Sequence, residues 1–120
     1  MSGKDAVREE RISMEAIVDA YGPEERSLGW YYYLADKISF PFAAECVVID
    51  KRTPLKLKER ITVKKMSGED YCEHDIFVDI SRKGQVLAIP LTQIQPLEAN
   101  EDTVEAIGDW HYWKAQGYLF

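Results

Sequence analysis

The chain has 120 residues, of which 46% are hydrophobic, 12% aromatic and 30% charged, and its formal net charge is −6. That mix is the mix of one folded domain, too aromatic for disorder, with no apolar run near the roughly 18 residues of a membrane helix. An acidic chain repels a phosphate backbone, which disfavours nucleic acid as a partner.

The opening stretch MSGKDAVREE is polar and charged, so no secretory signal and a cytoplasmic location are expected. Cys46 and Cys72 are then expected as free thiols. Residues 5–21 read as a helix on the spacing of Val7, Met14, Ile17, Val18 and Tyr21, with Asp5 and Ser13 both offering caps. Gly22-Pro23 ends it and starts a second helix, with Glu24 and Glu25 at its positive end. Leu28, Tyr31 or Tyr32, and Leu34 form its expected buried stripe, and Gly29 weakens it by about 1 kcal/mol relative to alanine.

After Pro41 the period changes. Residues 43–50 read as a strand, residues 51–58 as a basic connection, and residues 60–66 as a second strand. Residues 73–80 alternate, with Ile76, Val78 and Ile80 on one face. The run from Ser81 to Gly84 is a hairpin turn, residues 85–89 are the returning strand, and LTQIQPL turns into a closing strand. Four or five short strands joined by tight turns point to a small antiparallel barrel. Asp102 and Glu105 are spaced as a capping box, so the tail returns to helix, with Ala106, Ile107, Trp110 and Trp113 for packing. The expected fold is α+β: an SH3-like antiparallel β-barrel with N-terminal helices and a short C-terminal helix. One domain spans 1–120, helical over 5–38, barrel over about 43–97, and helical again over 102–116.

No serine lies in a nucleophile elbow, no phosphate-binding glycine loop is present, and His74 and His111 have no partners for a nucleophile–base arrangement, so no enzyme activity is expected. Charge is strongly segregated. Residues 51–65 carry six net positive charges, and the segments on either side are acidic. The basic segment offers an alternative reading, a protein- or nucleic-acid-interaction module, although no aromatic residue interleaves with its lysines for base stacking. The acids are hard oxygen donors of the kind Ca2+ takes. They group as Glu24 and Glu25, then Asp36, then Glu69, Asp70, Glu73 and Asp75, then the tail acids from Glu98 to Asp109. No EF-hand run occurs, so any calcium site must be assembled from distant segments.

Three stretches carry a family resemblance: GWYYYLADKISFPFAAEC at 29–46, DIFVDISRKGQVLAIPLTQIQP at 75–96, and EAIGDWHYW at 105–113. In this order, in a chain of this length, they resemble the small cyanobacterial calcium-binding protein family, CcbP. The resemblance implies a non-EF-hand Ca2+ buffer or sensor in the cytoplasm, associated with calcium signalling during differentiation of nitrogen-fixing cells. Within or beside the matching stretches, Asp36 and Asp109, with Glu98, Asp102 and Glu105, are the acids best placed as ligands, and Glu69, Glu73 and Asp75 offer a second, weaker site. The calcium ion is the expected partner, with no membrane association and a monomeric state.

Overall fold

The computed structural model describes residues 4–120. Helix α1 (Ala6–Arg11) is capped by Asp5, whose carboxylate accepts from the Arg8 backbone N–H, and it runs straight into a π-helical turn at Ile12–Ala16. The continuous helix expected over 5–21 is therefore shorter and changes period. A π turn holds more residues than an α turn, which shifts the face presented by every later residue. Ile12 and Ala16 are buried, whereas Val7, Met14, Val18 and Tyr21 are exposed.

Helix α2 (Pro23–Lys37) starts on a proline, whose missing N–H costs nothing in the first turn. It buries Ser27, Trp30, Tyr33 and Leu34. The expected stripe is rotated: Leu34 faces inward, but Leu28 and Tyr32 are exposed, and Trp30 and Tyr33 take the inner face. Gly29 does more than loosen this helix. A Cβ there would sit 2.4 Å from the Ala16 carbonyl oxygen, so the missing side chain lets α2 cross close to the π turn.

The five strands are β1 (Phe42–Cys46), β2 (Arg60–Met66), β3 (Phe77–Arg82), β4 (Gln85–Pro90) and β5 (Ile94–Glu98). They form one antiparallel sheet in the order β4-β3-β2-β1-β5. This is the barrel-like α+β fold expected from the sequence, except that the sheet is not closed: among the described residues no ladder joins β4 to β5. Strand β3 keeps the predicted alternation, with Val78 and Ile80 fully buried beside Ile76. Arg82 pairs with Gln85 across a tight turn in which Lys83 and Gly84 both have positive φ (51° and 76°), the backbone signature of a two-residue hairpin. Strand β1 is shorter than expected, so Val47, Val48 and Ile49 lie beyond the paired residues and are exposed.

Helix α3 (Glu101–Ala115) is capped by Asn100, whose side chain accepts from the Thr103 N–H. The capping box expected at Asp102 and Glu105 is thus replaced by a residue one position before the helix, which satisfies the same kind of orphan donor. Helices α2 and α3 meet through tryptophans: Trp30 lies 5.0 Å from Trp110 and 5.4 Å from Trp113, ring centre to ring centre. The three tryptophans therefore pack on one another, at distances where edge and offset contacts are favourable. Cys46 and Cys72 are buried free thiols, and burial raises the Cys72 pKa.

Candidate metal centre

The acids of this chain divide into those the fold has already used and those it leaves open. Asp109 heads the first group. It is completely buried on α3, and both of its oxygens are taken. One accepts from Arg8 Nη1 at 2.6 Å and Arg11 Nη2 at 2.7 Å, and the other from Arg11 Nε at 2.8 Å and the Tyr33 hydroxyl at 2.8 Å. Two guanidinium groups and a phenol stand where a cation would have to stand. The expectation that Asp109 offers its carboxylate to Ca2+ is not met: a buried charge must be paired, and arginine's planar fork has paired it. Burial, reinforced by the bond to Asp109, pushes the Tyr33 hydroxyl well above the ordinary tyrosine range.

Two more predicted ligands are engaged. Glu105, one turn before Asp109, lies 3.6 Å from Arg11 Nε. Asp75 accepts from the Ile76 N–H at 2.9 Å and lies 3.6 Å from Lys114 and 3.9 Å from Arg52. Asp75 therefore braces the approach to β3 instead of joining Glu69 and Glu73.

The remaining predicted acids are open. Asp36 is exposed near the end of α2, and Glu98 and Asp102 are exposed at the end of β5 and the start of α3. These segments are tied together. The Ser39 N–H donates to Thr103 Oγ1 at 2.9 Å, Asn100 Nδ2 donates to Ser39 Oγ at 2.8 Å, and Glu98 pairs in register with Ala43 of β1. The end of α2 and the start of α3 thus come to one junction, through bonds between residues 64 and 61 apart in the chain.

A second open group lines a cleft of about 680 Å3. Glu24 comes from the first turn of α2, and Glu69, Asp70, Glu73 and His74 come from the 3-10 turn at Glu69–Cys72 and the residues after it. Leu28, Leu119 and Phe120 supply apolar walls. The turn is held against α2 by the Tyr31 hydroxyl, which donates to the Ser67 carbonyl at 2.6 Å. Glu69 and Glu73 therefore line one cleft. Glu24 and Asp70 join them, two residues that the sequence reading grouped among the candidate oxygen donors but left out of both expected ligand sets.

Among the described residues, Glu24, Asp36, Glu69, Asp70, Glu73, Glu98 and Asp102 make no ion pair and no side-chain hydrogen bond. Their chemistry fits a hard cation, because they are unpaired carboxylates; of the soft ligands nearby, His74 lines the same cleft and the Cys72 thiol of the same turn is buried. Their placement is not yet that of a coordination shell: among the described residues no group of three or more His, Cys, Asp or Glu side chains is set to hold a metal ion. Rotation of exposed, unpaired side chains would have to complete such a shell, together with backbone carbonyls and water.

Comparison with known proteins gives this arrangement its context. A family model for CcbP, described as "Calcium binding", matches residues 10–114. The chain belongs to the CcbP calcium-binding family. It is 39% identical to the crystal structure of Anabaena CcbP, with a TM-score of 0.89, covering 99% of this chain and 98% of that one. It is 38% identical to a solved calcium binding protein in its calcium-binding form, with a TM-score of 0.87 and complete coverage of both chains. Comparison with curated proteins gave no match. The matched residues include Arg11 and Asp109, which pair at 2.7 Å, and the seven open carboxylates named above; Arg8, the other arginine on Asp109, lies just before them.

Proposed function

We propose that this CcbP-family chain binds Ca2+ through its open carboxylates, at the acidic cleft and at the α2–α3 junction, as a monomeric cytoplasmic calcium buffer. The observation that carries this reading is the split just described. The fold pairs Asp109, Glu105 and Asp75 with cations and leaves seven other acids at two places without any. Clustered like charges repel, and a divalent ion reverses the sign of that interaction. Ca2+ takes about six to eight oxygens in flexible geometry, so mixed ligation by carboxylates, carbonyls and water suits an exposed site.

At the cleft the ligands would be Glu24, Glu69, Asp70 and Glu73, and at the junction Asp36, Glu98 and Asp102. The ion would supply concentrated positive charge there, while the chain's residues hold it and exclude part of its water. Buffering is favoured over sensing because the elements that carry these acids are already tied down: α2 and α3 by the Tyr33–Asp109 bond and the tryptophan contacts, the 3-10 turn by the Tyr31–Ser67 bond, and β5 by its pairing with β1. Filling the sites then needs side-chain rotation rather than a second backbone state, which a sensor requires.

The test compares two triple variants, Glu69→Gln/Asp70→Asn/Glu73→Gln and Asp36→Asn/Glu98→Gln/Asp102→Asn. Competition with a fluorescent chelator should show each losing at least about tenfold in affinity at its own site. Melting of the calcium-free protein should be unchanged or slightly raised, because repulsion has been removed. Wild-type affinity in both variants would overturn the assignment.

A further inference from the structure

The connection between β1 and β2 combines two features that the calcium reading leaves unused. It is apolar where it faces water: Val47, Val48, Ile49 and Leu57 are 39%, 48%, 56% and 57% exposed. It is also basic, and among the described residues the ammonium groups of Lys51, Lys56 and Lys58 make no ion pair. The loop is not loose. Its base is closed by Cys46 N–H to the Glu59 carbonyl at 2.9 Å and Lys58 N–H to the Cys46 carbonyl at 2.8 Å, which brings Leu57 alongside the start of the 47–49 run. Leu55 is buried beneath it, the Val47 N–H donates to the Gln93 carbonyl, and Thr53 donates to the buried Gln93 side chain at 2.9 Å.

We infer that this loop is a docking surface for an acidic amphipathic segment of a partner protein. A fixed loop that presents neighbouring apolar side chains with cations beside them loses little conformational entropy on binding. The apolar groups would anchor the segment, and the lysines would pair with its acids and select for them. Charge complementarity sets the partner's sign, because residues 47–59 hold four cations against two acids, Asp50 and Glu59, in a chain whose total is −6, and those two acids are already paired with Arg52 and Arg82. Nucleic acid fits less well, since residues 47–59 hold no aromatic side chain for base stacking. The same residues lack the tryptophan or tyrosine that anchors proteins at a lipid interface.

The test titrates the full chain into a fluorescein-labelled peptide of glutamates with leucine at i, i+3, i+4 and i+7, read by anisotropy in the presence of excess chelator. Saturable binding is expected. Ile49→Ser/Leu57→Ser should weaken it at least about tenfold, and Lys56→Glu/Lys58→Glu should do the same with loss of its salt dependence. Both pairs are exposed, so their melting temperatures should match wild type. Lys58→Gly is a further control. Lys58 has φ +65°, which glycine adopts without strain, so this variant should fold at least as stably while binding more weakly. Absence of binding, equal binding by all variants, or uptake of the protein by phosphatidylserine vesicles but not by the peptide would each overturn the assignment. Because chelator is present throughout, the outcome is independent of whether the chain binds calcium.

Discussion

Replacing Asp109 with asparagine should destabilise the protein by about 3 kcal/mol and leave calcium stoichiometry unchanged. The stability loss follows from what remains behind. Arg11, whose side chain is only 17% exposed, and Arg8 would keep their charges while losing the one carboxylate that both of them reach. Breaking a buried pair from one side costs more than the pair contributes, because the surviving charge stays desolvated. The Tyr33 hydroxyl would lose a charged acceptor as well. Urea unfolding measures the loss and chelator competition measures the stoichiometry. A stable variant that has lost one calcium would reverse the role assigned here and make Asp109 a ligand.

Gly29→Ala carries the second large effect, and its sign separates local propensity from tertiary packing. On propensity alone alanine should stabilise the middle of α2 by about 1 kcal/mol. The added methyl, however, would sit 2.4 Å from the Ala16 carbonyl oxygen, and it meets backbone rather than a side chain that can turn aside. Helix α2 and the π turn must separate, which should cost about 2 kcal/mol net, in the range of overpacked cores. Thermal unfolding should show a clear fall in Tm. A rise would mean that the close approach at Gly29 is absent in solution.

The contrast between these two residues shows what the sequence made legible. Local period was readable where the backbone kept one period: Ile76, Val78 and Ile80 alternate into the core as expected, and the hairpin turn falls at Lys83-Gly84. It misled at the first helix, because the π turn at Ile12–Ala16 rephases the pattern and puts Ile12 and Ala16 inside instead of Met14 and Val18. Such a turn leaves no mark in the spacing of hydrophobic residues.

The acids followed the same logic. Their types and grouping were visible from the sequence, but their partners were not. Asp109 sits 98 residues from Arg11, and no local signal distinguishes a carboxylate that will be buried by an arginine from one that will face water. One signal was available in part: Arg8 and Arg11 are spaced to share a helix face, opposite an acid embedded among tryptophans. The cleft was half legible, through Glu69 and Glu73. Glu24 was read as a favourable charge at a helix start and as one of the grouped oxygen donors, but nothing in the sequence placed it beside Glu69 and Glu73 in the cleft.

The central claim is that the open carboxylates bind calcium specifically rather than attracting cations in general. Calorimetric titration of chelator-stripped protein with calcium, in millimolar magnesium, tests it most directly. Magnesium demands tight octahedral geometry and gives up its water reluctantly, so it competes poorly at flexible carboxylate sites but screens a diffuse negative surface well. The account predicts saturable heat with small-integer stoichiometry that survives the magnesium. Weak heats abolished by magnesium would contradict it and reduce the acidic clusters to the ordinary surface charge of a −6 protein.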